Sequence, residues 1–186
     1  FVNTGNFGKI NVFNEYFGRG LSSIVFQEIR ESKSLAYSAY VSYAANSELG
    51  HPDYITTYIG TQPDKLQIAV DTMDDLMNEL PEVTSQFENA KNAALKQIAS
   101  TRITRTNIFF NTLKLKKLNI SHDFRKDIYQ QIEQLKFEDV KEFYKTEVKP
   151  IHFNTAIIGK KENLNMEAVN QMGTFTEVSI KDIFGH

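Results

Sequence analysis

At Tyr37 the apolar period of the chain changes from that of a helix to that of a strand, and this switch limits the possible fold more than any other feature. In "LSSIVFQEIRESKSLAYSAYVSY" (21–43), Leu21, Ile24, Val25 and Ile29 recur at helical spacing, while Glu28, Arg30 and Glu31 fall on other faces. From Tyr37 onward, Tyr37, Ala39, Val41 and Tyr43 alternate with Ser38, Tyr40 and Ser42, the two-residue period of a strand. Gly18 and Gly20 turn the chain just upstream, where Phe13, Tyr16 and Phe17 end an earlier apolar helical stretch. Ser22 or Ser23 is placed to accept from the orphan amides of the following helix as its N-cap.

The same reading extends along the chain. "NSELGHPD" (46–53) is a loop and "YITTYIGT" (54–61) a second strand, so the two strands form an antiparallel hairpin with a long connection. Asp64 and Gln67 have capping-box spacing ahead of an amphipathic helix carrying Leu66, Ala69, Val70, Met73, Met77 and Leu80, which Pro81 ends. Ser85 and Glu88 predict a second capping box, on a helix running to about Ile103. Three shorter helical patterns follow: Ile108, Phe109 and Leu113; Ile128, Ile132 and Leu135; and Val140, Phe143, Tyr144 and Val148, stopped by Pro150. "HFNTAIIGKK" (152–161) predicts a strand, "NMEAVNQMG" a short helix and "FTEVSI" (175–180) a last strand. Strands separated by a helical block indicate an α+β sandwich, a mostly antiparallel sheet packed against a layer of helices. With no repeat, no low-complexity tract and no Pro/Gly/Ser-rich linker, residues 1–186 read as a single domain.

Composition narrows the function. The 186 residues suffice to bury about two-thirds of the unfolded surface, and an apolar content of 41% with 22 aromatics supports a packed core. A formal charge of −2 and a pI near 6.1 provide no field for steering towards nucleic acid or an acidic membrane. The densest basic cluster, "KLKK" at 114–117, reads as a solvated helix face. There is no cysteine, which excludes disulfides, thiolate zinc sites and thiol catalysis. No apolar run approaches the roughly 18 residues of a membrane span.

Residue chemistry leaves few candidate sites. His51, His122, His152 and His186 are never closer than 30 positions, so the i, i+4 pair of a helical zinc site is absent. No G-x-S-x-G elbow occurs, and "HPD" at 51–53 is too local to build a catalytic triad. "GRG" lacks the preceding strand and third glycine of a dinucleotide cradle, and its glycines fit a close approach between helices. Arg30 and Tyr37 remain. One ends a helix and the other begins a strand, so both can project from one rim, or Arg30 can pair with Glu31 while Tyr37 packs on the sheet.

At these residues the chain resembles the M16 zinc peptidases, the family of insulysin, pitrilysin and the mitochondrial processing peptidase. The resemblance is to the domain type that lacks the metal motif, which implies a metallohydrolase-type α-β sandwich. It rests on "NEYFGRGLSSIVFQEIRESKSLAYSAY", then "YIGTQPDKL", "FEDVKEFYKTEVKP" and "IIGKK", in family order over nearly the whole chain. In active members, the resemblance implies, a paired domain holds zinc on an inverted H-x-x-E-H helix plus a distal Glu. The metal-free domain faces it and contributes an Arg and a Tyr seven positions apart, in an R-x-x-x-x-L-[GA]-Y context. Here "RESKSLAY" supplies Arg30, Leu35, Ala36 and Tyr37 at that spacing.

Those two residues are therefore expected to bind peptide and stabilise the tetrahedral intermediate, with no cofactor in this chain and zinc in the partner domain. That partner lies on the same polypeptide or on a separate subunit, and neither nucleic acid nor membrane is expected. The alternative is a non-catalytic structural or peptide-holding module of the same fold. Arg19 stands where relatives often have glycine, and the strand expected upstream of the first helix is missing. Both that absence and the abrupt start at "FVNTGNFGKI" suggest a piece of a longer protein. An exposed apolar face is expected where a partner docks.

Overall fold

The computed structural model describes residues 4–46, 48 and 50–185. After a short 3-10 turn, α1 (Phe7–Phe13) opens into a π-helical turn, Asn14–Gly18. α2 (Ile24–Phe26) does the same over Gln27–Ser32. Ser23 is its N-cap, its hydroxyl accepting from the Phe26 amide. β1 (Ala36–Ala44) and β2 (Tyr54–Thr61) follow at the expected positions. The helical block comprises α3 (Leu66–Asn78), α4 (Thr84–Ser100), α5 (Arg105–Lys117), α6 (Arg125–Gln134) and α7 (Phe137–Phe143), the last continued by a π turn to Val148. Two short helices, α8 (Met166–Gln171) and α9 (Ile180–Phe184), close the described chain.

The fold is α+β, as the sequence predicts, with an antiparallel β1–β2 pair in register Tyr43↔Ile55, Val41↔Thr57 and Ala39↔Ile59. On β1 the inward residues Ala39, Val41 and Tyr43 are buried against helices. On the outward face, Tyr40 and Tyr58 stack as a cross-strand pair, ring centres 5.2 Å apart. α1 lies at the centre and packs on α4, α6, α7 and β1. Its Phe13 and the following Phe17 stack at 5.2 Å, and Phe143 of α7 meets Phe13 and Tyr43 edge-on at 5.8 and 5.0 Å. Edge-to-face geometry sets the positive ring edge against the negative face, which adds to the burial energy.

The two strands predicted at 152–161 and 175–180 are not formed. Residues 151–158 have no ladder partner among the described residues, and Ile158 is fully exposed. The outer edge of β1, one of the two edges that a further strand could join, is occupied. The Asn14 carboxamide donates to the Tyr43 carbonyl at 2.9 Å and accepts from the Tyr43 amide at 2.8 Å, standing in for a neighbouring strand. Gly18 lies so close to β1 that a Cβ there would sit 1.9 Å from the Val41 carbonyl oxygen. The close approach expected between helices is thus between helix and strand. The segment "FTEVSI" instead ends in a capping box, with Ser179 and Asp182 starting α9.

Two other predicted capping boxes are replaced. A 3-10 turn, Pro63–Lys65, precedes α3, and the Gln67 side chain donates forward to Asp71 rather than back to the N-cap. α4 starts two residues early, at Thr84 with Val83 as its N-cap, which places Ser85 inside the helix. α3 stops at Asn78, where the Tyr144 hydroxyl donates to the Met77 carbonyl at 2.7 Å. The Tyr16 hydroxyl donates to the Pro81 carbonyl and accepts from the Val83 amide, fixing the α3–α4 connection. Among the described residues no helix is long and apolar enough to cross a membrane.

Candidate functional site

Seven positions of sequence separate Arg30 from Tyr37, and three local features bring them together. The π-helical turn over Gln27–Ser32 widens the helix end that carries Arg30; such turns insert a residue and re-aim side chains. The Ser34 amide then bonds the Arg30 carbonyl, and the Leu35 amide bonds the Ile29 carbonyl at 2.9 Å, satisfying the last helical acceptors. This requires Ser34 to adopt a left-handed backbone, φ 50°. Leu35 is buried, and its carbonyl accepts from the Thr61 hydroxyl while the Lys65 ammonium donates to the Ser34 carbonyl. The link between helix and strand is therefore tied to β2 and to the start of α3.

Tyr37 then sits in a β-bulge. Ala36 opposes Thr61 and Ser38 opposes Gly60, so Tyr37 has no partner of its own. By alternation it belongs with the buried Ala39 and Val41, yet it is 85% exposed, because the irregularity lies at the strand end beyond the core. The Arg30 guanidinium lies 5.5 Å from the Tyr37 ring centre and 4.8 Å from that of Phe26, and its Nε is 3.6 Å from Glu31. Arg30 is itself partly exposed. Arg30 and Tyr37 thus form one patch on an accessible rim, a cation packed on aromatic rings with its N–H groups and the phenol reachable from outside. Phe26 is the member of this patch that the sequence reading missed. Its signal was present, an aromatic one turn ahead of an arginine at i, i+4.

A guanidinium is never a zinc ligand and repels a divalent cation, so this rim does not fit a metal. Among the described residues no group of three or more His, Asp or Glu side chains could hold one. His122 bonds Asp127 at 2.8 Å, His51 lies 3.8 Å from Glu48, His152 is exposed, and His186 falls outside the described residues. Asp53 of the "HPD" loop accepts from the Tyr43 hydroxyl and the Asn46 amide, holding the hairpin connection. Burial pushes the Tyr43 phenol up, with the nearby Asp53 charge acting in the same direction.

The chain is 35% identical over 83 residues to an uncharacterized zinc protease, YmxG, of Bacillus subtilis (strain 168). That match covers 43% of this chain but only 20% of YmxG. Among solved structures, it resembles a peptidase M16 inactive domain from Pseudomonas fluorescens, with a TM-score of 0.58 at 16% identity over 75% of this chain and 34% of that one. A protease from Helicobacter pylori gives a TM-score of 0.56 at 14% identity, covering 77% and 35%. The chain thus spans a fifth to about a third of the length of these proteins. At such identities the structural likeness concerns the fold alone. The model of the peptidase M16 inactive domain matches residues 2–94, half of the chain and the half that contains Arg30 and Tyr37, and the chain belongs to that family.

Proposed function

We propose that residues 1–186 form one domain, the substrate-facing, metal-free half of a two-domain zinc endopeptidase. The observation that carries this reading is the patch itself: Arg30 and Tyr37 meet on an exposed rim, the guanidinium 5.5 Å from the ring centre. A separate domain with an H-x-x-E-H helix would hold the zinc, which when bound would supply the Lewis acid for attack on a peptide carbonyl. This chain's part is to bind and orient. Arg30 offers fixed N–H donors to main-chain carbonyls of the peptide, and its contacts with Phe26 and Tyr37 hold the fork in place before substrate arrives. The Tyr37 hydroxyl donates to the oxygen on which negative charge develops, an interaction that strengthens as the tetrahedral species forms.

The test uses the full-length protein and a peptide substrate. Tyr37→Phe is expected to lower kcat by about 10²–10³-fold with little change in KM, as for loss of an oxyanion donor. Arg30→Lys keeps the charge but loses the planar fork, and is expected to raise KM. An unchanged kcat in Tyr37→Phe removes Tyr37 from the mechanism. The second reading, a non-catalytic peptide-holding module, uses the same patch without hydrolysis. It predicts peptide binding that weakens in Arg30→Lys, and a remaining polypeptide without an H-x-x-E-H helix.

A further inference from the structure

Two blocks of charge on this chain have almost no ion partner. From Arg102 to Lys117 there are five cations, Arg102, Arg105, Lys114, Lys116 and Lys117, and no carboxylate. Among the described residues, only Lys117 of these enters a salt bridge, with Glu48 at 2.5 Å. α5 rests on the body through half-buried Asn111 and Leu115 and buried Leu118, spaced i, i+4, i+7. Its opposite side is therefore turned outward. There Phe109 and Phe110 are each 62% exposed and Leu113 is 43% exposed, with Lys114 and Lys116 alongside. Exposed aromatics interleaved with unpaired cations do not behave as an ordinary solvated face, because the rings cost solvation and the cations repel one another.

The counterpart lies on the same chain. Between Asp64 and Glu79 there are five carboxylates against Lys65 alone, and none of the five enters a salt bridge among the described residues. On α3, Ile68 is 54% exposed and shares a ridge with Asp71 and Asp75, at i, i+3, i+7. Burial and the neighbouring Asp71 and Asp75 charges raise the Asp74 carboxyl, a repulsion that a docked cation relieves. α3 and α5 are each 13 residues long, about 20 Å at 1.5 Å per residue. The two faces match in length, oppose in charge and each carry an exposed apolar anchor.

We propose that α5 of one copy docks on α3 of a second copy, Phe109 and Leu113 against Ile68 and the α5 cations against Asp71, Asp74 and Asp75. A single such contact uses one face of each kind. The second face of each kind then closes reciprocally in a two-fold dimer or binds further copies until a ring closes. Complementary charge governs the encounter and apolar contact the lifetime, so association weakens with salt.

Sedimentation velocity of the full-length protein tests this. At low ionic strength the mass is expected to rise with concentration, and to fall towards monomer at 1 M salt, where screening acts within about 3 Å. Two variants each destroy one face, Phe109→Ser with Phe110→Ser on α5, and Asp71→Lys with Asp75→Lys on α3. All four positions are exposed, and circular dichroism is to check that both variants fold. Each alone is expected to stay monomeric, and their mixture to give a 1:1 dimer that grows no further, since each retains one intact face. A wild type monomeric up to its solubility limit overturns the proposal, as does self-association unaltered in both variants or a mixture that remains monomeric. Binding of the wild type to phosphatidylglycerol vesicles, lost in the α5 variant without any change in oligomeric state, also overturns it and assigns α5 to a lipid surface.

Discussion

The Tyr144 hydroxyl shows how one buried polar group couples packing to pH. It donates to the Met77 carbonyl near the end of α3, where helix geometry provides no internal donor. Burial, with the Glu79 charge second, pushes its phenol up to about 12. An unfolded tyrosine ionises near pH 10. Below that value both states keep the proton and the contribution is complete. Above it the unfolded chain releases a proton that the folded chain retains, so stability falls as pH rises from about 10 towards about 12. Tyr144→Phe is expected to cost about 1–2 kcal/mol at neutral pH through the lost bond, and to flatten this alkaline decline. Urea unfolding across that range measures both, and an unchanged slope would assign the decline to Tyr43 and Tyr16, whose shifts have the same sign. Gly18→Ala brings a methyl into the Val41 carbonyl and is expected to cost about 3 kcal/mol, since backbone must move on one side.

Between elements, the α2–β1 link and the β1 edge carry the architecture. Ser34 occupies left-handed backbone that an L side chain adopts at a cost of about 1–2 kcal/mol. Ser34→Gly is therefore expected to raise the thermal midpoint, with a gain of about 1 kcal/mol and no change in the Arg30–Tyr37 patch. At the other end of β1, Asn14→Leu removes both partners of the Tyr43 backbone. Two buried groups left unpaired at about 1–3 kcal/mol each make this the most damaging of these substitutions. Thermal denaturation ranks them: a destabilisation by Asn14→Leu no larger than a surface change would mean that water takes over the strand edge.

Over the whole molecule, the proposed functions fall on separate exposed surfaces rather than in one pocket. The Arg30–Tyr37 rim is proposed to serve a zinc centre outside this chain. Chelating zinc from the full-length protein should then abolish peptide hydrolysis while leaving the circular dichroism and melting of residues 1–186 unchanged. Unfolding of this domain on chelation would show that metal contributes to its stability, contrary to the division of labour proposed. The α3 and α5 faces lie on other elements, so their variants should alter sedimentation and leave the rate of peptide hydrolysis proposed for the full-length protein unchanged.

Local pattern determined much of this protein. The period switch at Tyr37, the alternation in "YITTYIGT" and the α3 stripe each follow from which side chains share a face, a property of nearest neighbours in sequence, while the choice between Ser22 and Ser23 as the α2 cap was made by the structure. The family resemblance carried by "RESKSLAY" marked Arg30 and Tyr37, but not their contact. That contact needed a π turn, a left-handed Ser34 and a bulge, none of which has a periodic signature. Residues 152–161 and 175–180 carry strand-like composition and still form no ladder. A helix closes its hydrogen bonds within its own segment and can be read from it, whereas a strand is completed by an edge elsewhere. Here Asn14 and Gly18 occupy the outer edge of β1, and no strand joins that of β2 among the described residues, an outcome that belongs to the tertiary structure alone.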